Sequence, residues 1–153
     1  MIFVRDVMKR PITLNKDDNI EKAISIFREN KISGAPVVEG EKLVGLLSES
    51  DIIKALTSHD ERFSLVLPSP FDLIELPLKT AIKIEEFRGD MDNALKTEVF
   101  EAMAEKVITV SSETPITEAA EIMVKNKIKR LPVVEGEKLV GIVTRGDLIE
   151  AMI

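Results

Sequence analysis

The ten residues Pro36 to Gly45, Pro-Val-Val-Glu-Gly-Glu-Lys-Leu-Val-Gly, recur unchanged at Pro132 to Gly141, 96 positions further along the chain. The same offset aligns Ile12-Thr13 with Ile108-Thr109, Ala23 with Ala119, Asn30-Lys31-Ile32 with Asn126-Lys127-Ile128, and Asp51 with Asp147. Chance does not give an identity of this length together with its flanks, so the chain is two copies of one unit of about 50 residues. The division this predicts is a first copy over 1–60, a connector over 61–98 and a second copy over 99–153.

Each copy reads β-α-β-β-α. Ile12-Thr13-Leu14 and Val107 to Val110 are short β-prone segments. A helix follows in each copy. In the first, Asp18 with Glu21 three residues on forms a capping box; in the second, Thr114 precedes Pro115 at the first helical position. Ile20, Ala23, Ile24 and Phe27, and then Ile116, Ala119, Ala120 and Met123, repeat at helical spacing. Ala35 to Val38 and Leu43 to Leu47 are apolar runs joined by Glu39-Gly40-Glu41-Lys42, which marks a hairpin. Ser48-Glu49-Ser50-Asp51 opens a second helix running to about Thr57, and Thr144-Arg145-Gly146-Asp147 opens its counterpart. One such copy is too small to bury both faces of its sheet, so two must pack together. In the connector, Pro68 and Pro70 mark a loop and a helix is expected from Phe71 to about Leu95. Its apolar face, with Leu73, Leu78 and Ile82, serves either to cover the core or as a dimer contact.

Composition narrows the function. The 153 residues are 44 % hydrophobic, enough at this length to bury roughly 70 % of the unfolded surface. Basic residues number 21 against 27 acidic, a net charge of −6. That balance argues against a broad basic face, and without Trp or Tyr few platforms exist for stacking bases, so no nucleic-acid partner is expected. The absence of cysteine excludes disulfides, thiolate metal sites and a thiol nucleophile; a single histidine, His59, excludes His-based metal cages and triads. Apolar runs such as Leu43 to Leu47 fall far short of the ~20 residues that span a bilayer, and the opening Met1-Ile2-Phe3-Val4 is too short for a signal peptide. A soluble cytoplasmic protein with no membrane partner is expected. The lack of Gln and Cys beside abundant Lys and Glu hints at a thermophile.

Ile32 to Asp51 and Ile128 to Asp147 each carry Ile-x-x-x-Pro-Val-Val, then Leu-Val-Gly, two hydrophobic residues and Ser/Thr-x-x-Asp. In this the chain resembles the tandem CBS domain proteins, whose two units form a CBS pair or Bateman module. The resemblance covers nearly the whole chain apart from the connector. It implies an α/β (α+β) fold of two pseudo-symmetric β-α-β-β-α units packed sheet to sheet, with a helical connector. It also implies two clefts, which in many members hold AMP, ADP, ATP or S-adenosylmethionine, and a pairing of two modules into a disc-like homodimer.

Ser48-x-x-Asp51 and Thr144-x-x-Asp147 have two compatible readings. A hydroxyl at the N-cap with a carboxylate three residues on is how helices begin. By the resemblance, the carboxylate also accepts hydrogen bonds from both ribose hydroxyls while the helix N-terminus meets a phosphate. The resemblance further places Ile32, Ser33, Gly34, Ala35 and Pro36, and Ile128, Lys129, Arg130, Leu131 and Pro132, along the clefts. Thr13 and Thr109 then offer backbone groups to the adenine edge, and Leu46 and Ile142 wall the base. For these apolar residues ordinary core packing is the competing reading. Copy two carries Lys129, Arg130 and Arg145 where copy one has Ser33, Gly34 and Glu49. Guanidinium groups suit phosphate oxygens, so the Asp147 cleft is expected to prefer a phosphorylated adenosine. The alternative is that Lys129 and Arg145 are solvated surface residues.

The expectation is therefore a regulatory module without chemistry of its own. An adenine nucleotide is its regulatory ligand, no cofactor or metal is required, and its partners are a second copy of itself and a regulated protein. S-adenosylmethionine as ligand, or a ligand-free scaffold, are the alternatives. CBS pairs occur inserted in IMP dehydrogenase, but that enzyme's barrel and cysteine nucleophile have no counterpart here, and no Gly-rich phosphate loop with Lys and Ser/Thr is present.

Overall fold

In the computed structural model, which describes residues 1–57 and 91–153, each copy of the repeated decapeptide folds as a tight hairpin. Strand β2 (Gly34–Glu39) returns as β3 (Lys42–Ser48) through Gly40-Glu41, and β4 (Arg130–Glu135) returns as β5 (Lys138–Thr144) through Gly136-Glu137. Gly40 and Gly136 have φ of 64° and 63°; the residues after them do not. Positive φ at the first position alone is the type II′ arrangement, whose twist matches that of the strands and which favours glycine there. Strand β1 (Leu14–Asn15) runs parallel to β2, with Leu14 opposite Val37. The hairpins meet at Lys42 and Lys138, where Leu43 N–H donates to the Glu137 carbonyl and Leu139 N–H to the Glu41 carbonyl, each at 3.0 Å. The two sheets expected from the repeat are thus joined at one edge, in the order β1-β2-β3-β5-β4.

The described chain forms two compact units, and each repeat contributes to both. The sheet unit comprises Met1–Lys16, Ala35–Leu46 and Ala104–Ile153. Its core joins Val4 of α1 (Val4–Val7) to Ile116, Ala119 and Met123 of α5 (Ile116–Asn126), to Leu131, Val133 and Val143 of the second hairpin, and to Leu148 of α6 (Arg145–Met152). The helical unit comprises Asp17–Gly34 and Leu47–Met103. Here α2 (Ile20–Asn30) buries Ile20, Ala23 and Phe27, α3 (Glu49–Thr57) buries Ile52, and α4 (Val99–Ala102) buries Val99. Val99 N–H donates to the Asp18 carbonyl at 2.7 Å and Ile20 N–H to the Thr97 carbonyl at 2.9 Å.

Both expected helix starts move by one residue. The N-cap of α2 is Asn19, whose side chain accepts from Lys22 N–H at 2.8 Å, and Asp18 pairs instead with the Lys22 ammonium at 3.0 Å. The helix begins at Ile20 because that is the first residue with a face to bury. In copy two Pro115 is itself the N-cap, with extended backbone, and the Thr114 hydroxyl accepts from Ser111 N–H. The Ile116 N–H that this leaves over donates to the Ile2 carbonyl, so the N-terminal segment satisfies it. Of the helix expected over Phe71 to Leu95, residues 91–95 are helical and the rest lie outside the described residues.

Helices α2 and α5 end alike. Lys31 and Lys127 take left-handed backbone, with φ of 53° and 54°. Ile32 N–H donates to the Phe27 carbonyl at 3.0 Å and Ile128 N–H to the Met123 carbonyl at 3.1 Å, while Lys31 and Lys127 donate to Arg28 and Val124. This is a Schellman closure, in which an apolar residue after the left-handed one packs back on the last turn. An L-residue in that conformation costs about 1–2 kcal/mol, which glycine avoids apart from its larger unfolded entropy. Lys31→Gly should therefore raise unfolding free energy by about 0.5–1 kcal/mol in thermal or denaturant melts. A fall would mean that the lysine stem supplies more packing than the strain it carries.

Candidate functional site

The site of copy two is built where β5 runs into α6, within the sheet unit. Thr144 is the N-cap in extended backbone, and its hydroxyl accepts from Asp147 N–H at 3.3 Å. The Asp147 carboxylate reaches back and accepts from Thr144 N–H through Oδ2 at 2.9 Å. This reciprocal pairing satisfies two backbone donors at the helix start and aims the carboxylate toward β5. Asp147 is only 6 % exposed, the one charged residue among the described ones that is so buried.

Its second oxygen is held by a residue that the repeat pattern does not single out. Lys9 Nζ lies 2.8 Å from Asp147 Oδ1. The lysine arrives on the N-terminal segment, which meets β5 in a single antiparallel bridge. Lys9 N–H donates to the Ile142 carbonyl at 2.9 Å and Ile142 N–H donates back at 3.0 Å. One residue earlier, Met8 crosses Gly141 so closely that a Cβ there would stand 2.6 Å from Met8 Sδ. Burial alone would push the Asp147 carboxyl up, but the hydrogen bonds from Lys9 and Thr144 outweigh it and hold the group below its usual range. The same bond raises Lys9 above its ordinary value.

Around this pair the strand register brings several predicted residues together. Arg130 stands directly across from Thr144, and Pro132 across from Ile142. Val110 N–H donates to the Pro132 carbonyl at 3.1 Å, which puts Thr109 at the outer end of the same row. Thr109, Pro132, Ile142 and Lys9 thus span the sheet at one level, at one end of which Asp147 sits. Leu131 and Pro132 are fully buried, as are Ala35 and Pro36 in copy one, so their side chains belong to the core. Ile32 and Ile128 close the Schellman turns. Arg145 is directed elsewhere: its Nε donates to the Ile128 carbonyl at 3.2 Å, and it lines a groove between α5 and α6 with Met123, Leu148 and Ile149. Lys129 is exposed, and its carbonyl accepts from Arg145 N–H at 3.4 Å.

Copy one repeats the cap, and among the described residues no cation is paired with Asp51. Ser48 N–H and hydroxyl both donate to Asp51 Oδ2 at 3.0 Å, and Asp51 N–H donates to Ser48 Oγ at 3.3 Å. Gly34 is buried and Ser33 half-buried; the Ser33 carbonyl accepts from Glu49 N–H at 3.0 Å. Leu46 is half-buried and Thr13 exposed. The residue matching Lys9 is Ala104, which exchanges hydrogen bonds of 3.0 and 2.9 Å with Leu46 as Lys9 does with Ile142. The correspondence is visible in Val4-x-x-x-Met8-Lys9 against Val99-x-x-x-Met103-Ala104, an offset of 95 that escapes a search at 96.

Known proteins resemble this chain in sequence and fold. The CBS domain family model matches residues 4–58 and 98–153. The protein MJ1426 of Methanocaldococcus jannaschii is 57 % identical over all of this chain and 92 % of its own length. The inosine-5′-monophosphate dehydrogenase of Korarchaeum cryptofilum is 32 % identical over 95 % of this chain, which corresponds to 22 % of that enzyme. Among solved structures, the CBS domain pair of MJ0100 in complex with 5′-methylthioadenosine and S-adenosylmethionine is 26 % identical, with a TM-score of 0.69 over 99 % of this chain and 96 % of that one. Among the described residues, no helix is long and apolar enough to cross a membrane.

The Asp147 pairing makes stability depend on acid. A carboxyl lowered by folding stabilises above its unfolded value of about 3.9, and that contribution is lost as pH falls through the folded value below it. The stability gap between wild type and Asp147→Asn, measured by denaturant unfolding, should be widest near neutral pH and narrow below about pH 4. A gap independent of pH would show that Asp147 acts only as a cap.

Proposed function

The chain belongs to the CBS domain family, and on that basis we propose that it is a regulatory module whose Asp147 receives the ribose of an adenosine-containing ligand, AMP, ADP or ATP, and whose bound state is passed to a partner protein. The observation that carries this reading is the carboxylate itself. It is buried, kept ionised by Lys9 and Thr144, and set at the start of an eight-residue helix. Once the Lys9 side chain moves aside, both carboxylate oxygens can accept from a vicinal diol. The helix N-terminus, with Arg130 across from Thr144, offers positive potential for a phosphate. Ile142 and Thr109 lie in the row beside it, for the face and the edge of a base.

MJ0100, with its bound adenosyl compounds, supports a second reading in which the ligand is S-adenosylmethionine or a relative. Both readings use the ribose in the same way and differ in what the 5′ position carries. Catalysis is not part of either. The likeness to IMP dehydrogenase is confined to 22 % of that enzyme, and this chain has no cysteine to act as a nucleophile.

A homodimer also belongs to the proposal. The α5–α6 groove, with Val124 79 % and Ile149 57 % exposed, recurs in copy one between α2 and α3, where Phe27, Ile52 and Ile53 take the matching places. Arg145 in one groove corresponds to Glu49 in the other, which also carries Arg28 and Lys31, so an Arg145–Glu49 pair is available where two copies meet through unlike grooves.

Titration calorimetry of nucleotide-stripped protein against AMP, ADP, ATP, 5′-methylthioadenosine and S-adenosylmethionine tests the ligand. Saturable binding is expected, weakened about 10- to 100-fold by Asp147→Asn, which retains size and capping ability. No binding by any of these to folded protein would leave the scaffold reading. Light scattering on Ile149→Asp tests the assembly: the wild type should run as a dimer and the variant as a folded monomer.

A further inference from the structure

We propose that Lys9 is a specificity-determining residue of the Asp147 site, closing the carboxylate to neutral diols and opening it to diols that carry an anionic group. The inference rests on the ligand reading above. Asp147 is almost wholly buried, whereas the Lys9 side chain is 68 % exposed, so the ammonium approaches the carboxylate from the solvent side. A pair of hydroxyls aimed at both carboxylate oxygens meets Lys9 at Oδ1. To enter, it must displace a charge-assisted hydrogen bond of 2.8 Å with two neutral ones.

The cost of that displacement depends on the rest of the ligand. The Lys9 backbone is pinned to Ile142 through both of its polar groups, so only the flexible side chain moves. A neutral nucleoside sends the ammonium to water and gives nothing in exchange. A ligand bearing a phosphate supplies a new anion close by, and the lysine exchanges one partner for another. Discrimination therefore comes from a cost imposed on the wrong ligand as well as from attraction to the right one.

Copy one provides the internal contrast. Ala104 holds the place of Lys9 beside Leu46, and Asp51 is bonded by Ser48. At the position of Lys9, copy one thus carries no charge, and the two copies differ in what they offer there.

The test is calorimetry of the full chain with adenosine and AMP, in an Asp51→Asn background that silences copy one. Lys9→Gln removes the charge and keeps a hydrogen-bond donor for the buried carboxylate; Lys9→Arg restores the charge. The ratio of AMP to adenosine affinity should fall at least about tenfold in Lys9→Gln, with adenosine binding tighter than in the Asp51→Asn parent, and should recover in Lys9→Arg. A ratio within about twofold of that parent would overturn the role of Lys9 while leaving the ligand reading intact. Failure of the Asp51→Asn parent to bind either compound would overturn the ligand reading at Asp147, and this inference with it.

Discussion

Met8 passes over Gly141 so closely that a Cβ at position 141 would stand 2.6 Å from Met8 Sδ and the methionine would have to shift, and the sheet unit is arranged around that approach. It seats the N-terminal segment on β5, sends Val4 into the core among residues of copy two, and delivers Lys9 to Asp147. Val4 and Arg5 N–H groups donate to the carbonyls of Thr114 and Ser112, so the segment also ties down the loop ahead of α5. The glycine thus serves packing between segments more than 130 positions apart in the chain, not a backbone angle of its own.

Ile-x-x-x-Pro-Val-Val acquires a physical sense in this setting. Its isoleucine is the residue after a left-handed lysine, where it satisfies the end of one helix and packs on Phe27 or Met123. The next positions start the strand, and the proline and valines fill the core. A motif of this kind is first a way of ending a helix and beginning a strand within four residues. The Thr144–Asp147 cap follows at the end of the neighbouring strand, and the motif holds that strand in register.

Much of this is legible from the repeat. Identity over Pro36–Gly45 and Pro132–Gly141 gives the hairpins, because Gly-Glu between apolar runs fits few turns. Ser48-x-x-Asp51 and Thr144-x-x-Asp147 mark helix starts that the structure places within a residue. The features that escape a reading of the chain are set by contacts distant in sequence. Asn19 displaces Asp18 as the cap because the helix begins where Ile20 can be buried, and Pro115 caps α5 because Ile2 takes up the leftover N–H. Alignment alone groups Arg145 with the phosphate-facing cations, yet its guanidinium turns to the α5–α6 groove. Lys9 stays hidden because one extra residue in copy two shifts its counterpart out of phase.

The hairpin junction has a further property. Leu43 bonds to Glu137 as Leu139 bonds to Glu41, and Lys42 faces Glu137 at 3.7 Å as Lys138 faces Glu41 at 3.7 Å. Both sides of this contact are the same ten-residue sequence, so the junction is isologous within a single chain, as the interface of a twofold dimer is between two. A surface that complements itself has to satisfy two geometries at once, its own turn and that of its twin. Elsewhere the copies are free to diverge, as Lys9 and Ala104 have. Here each residue is both lock and key, and a change made in one copy is also a change in what the other copy meets.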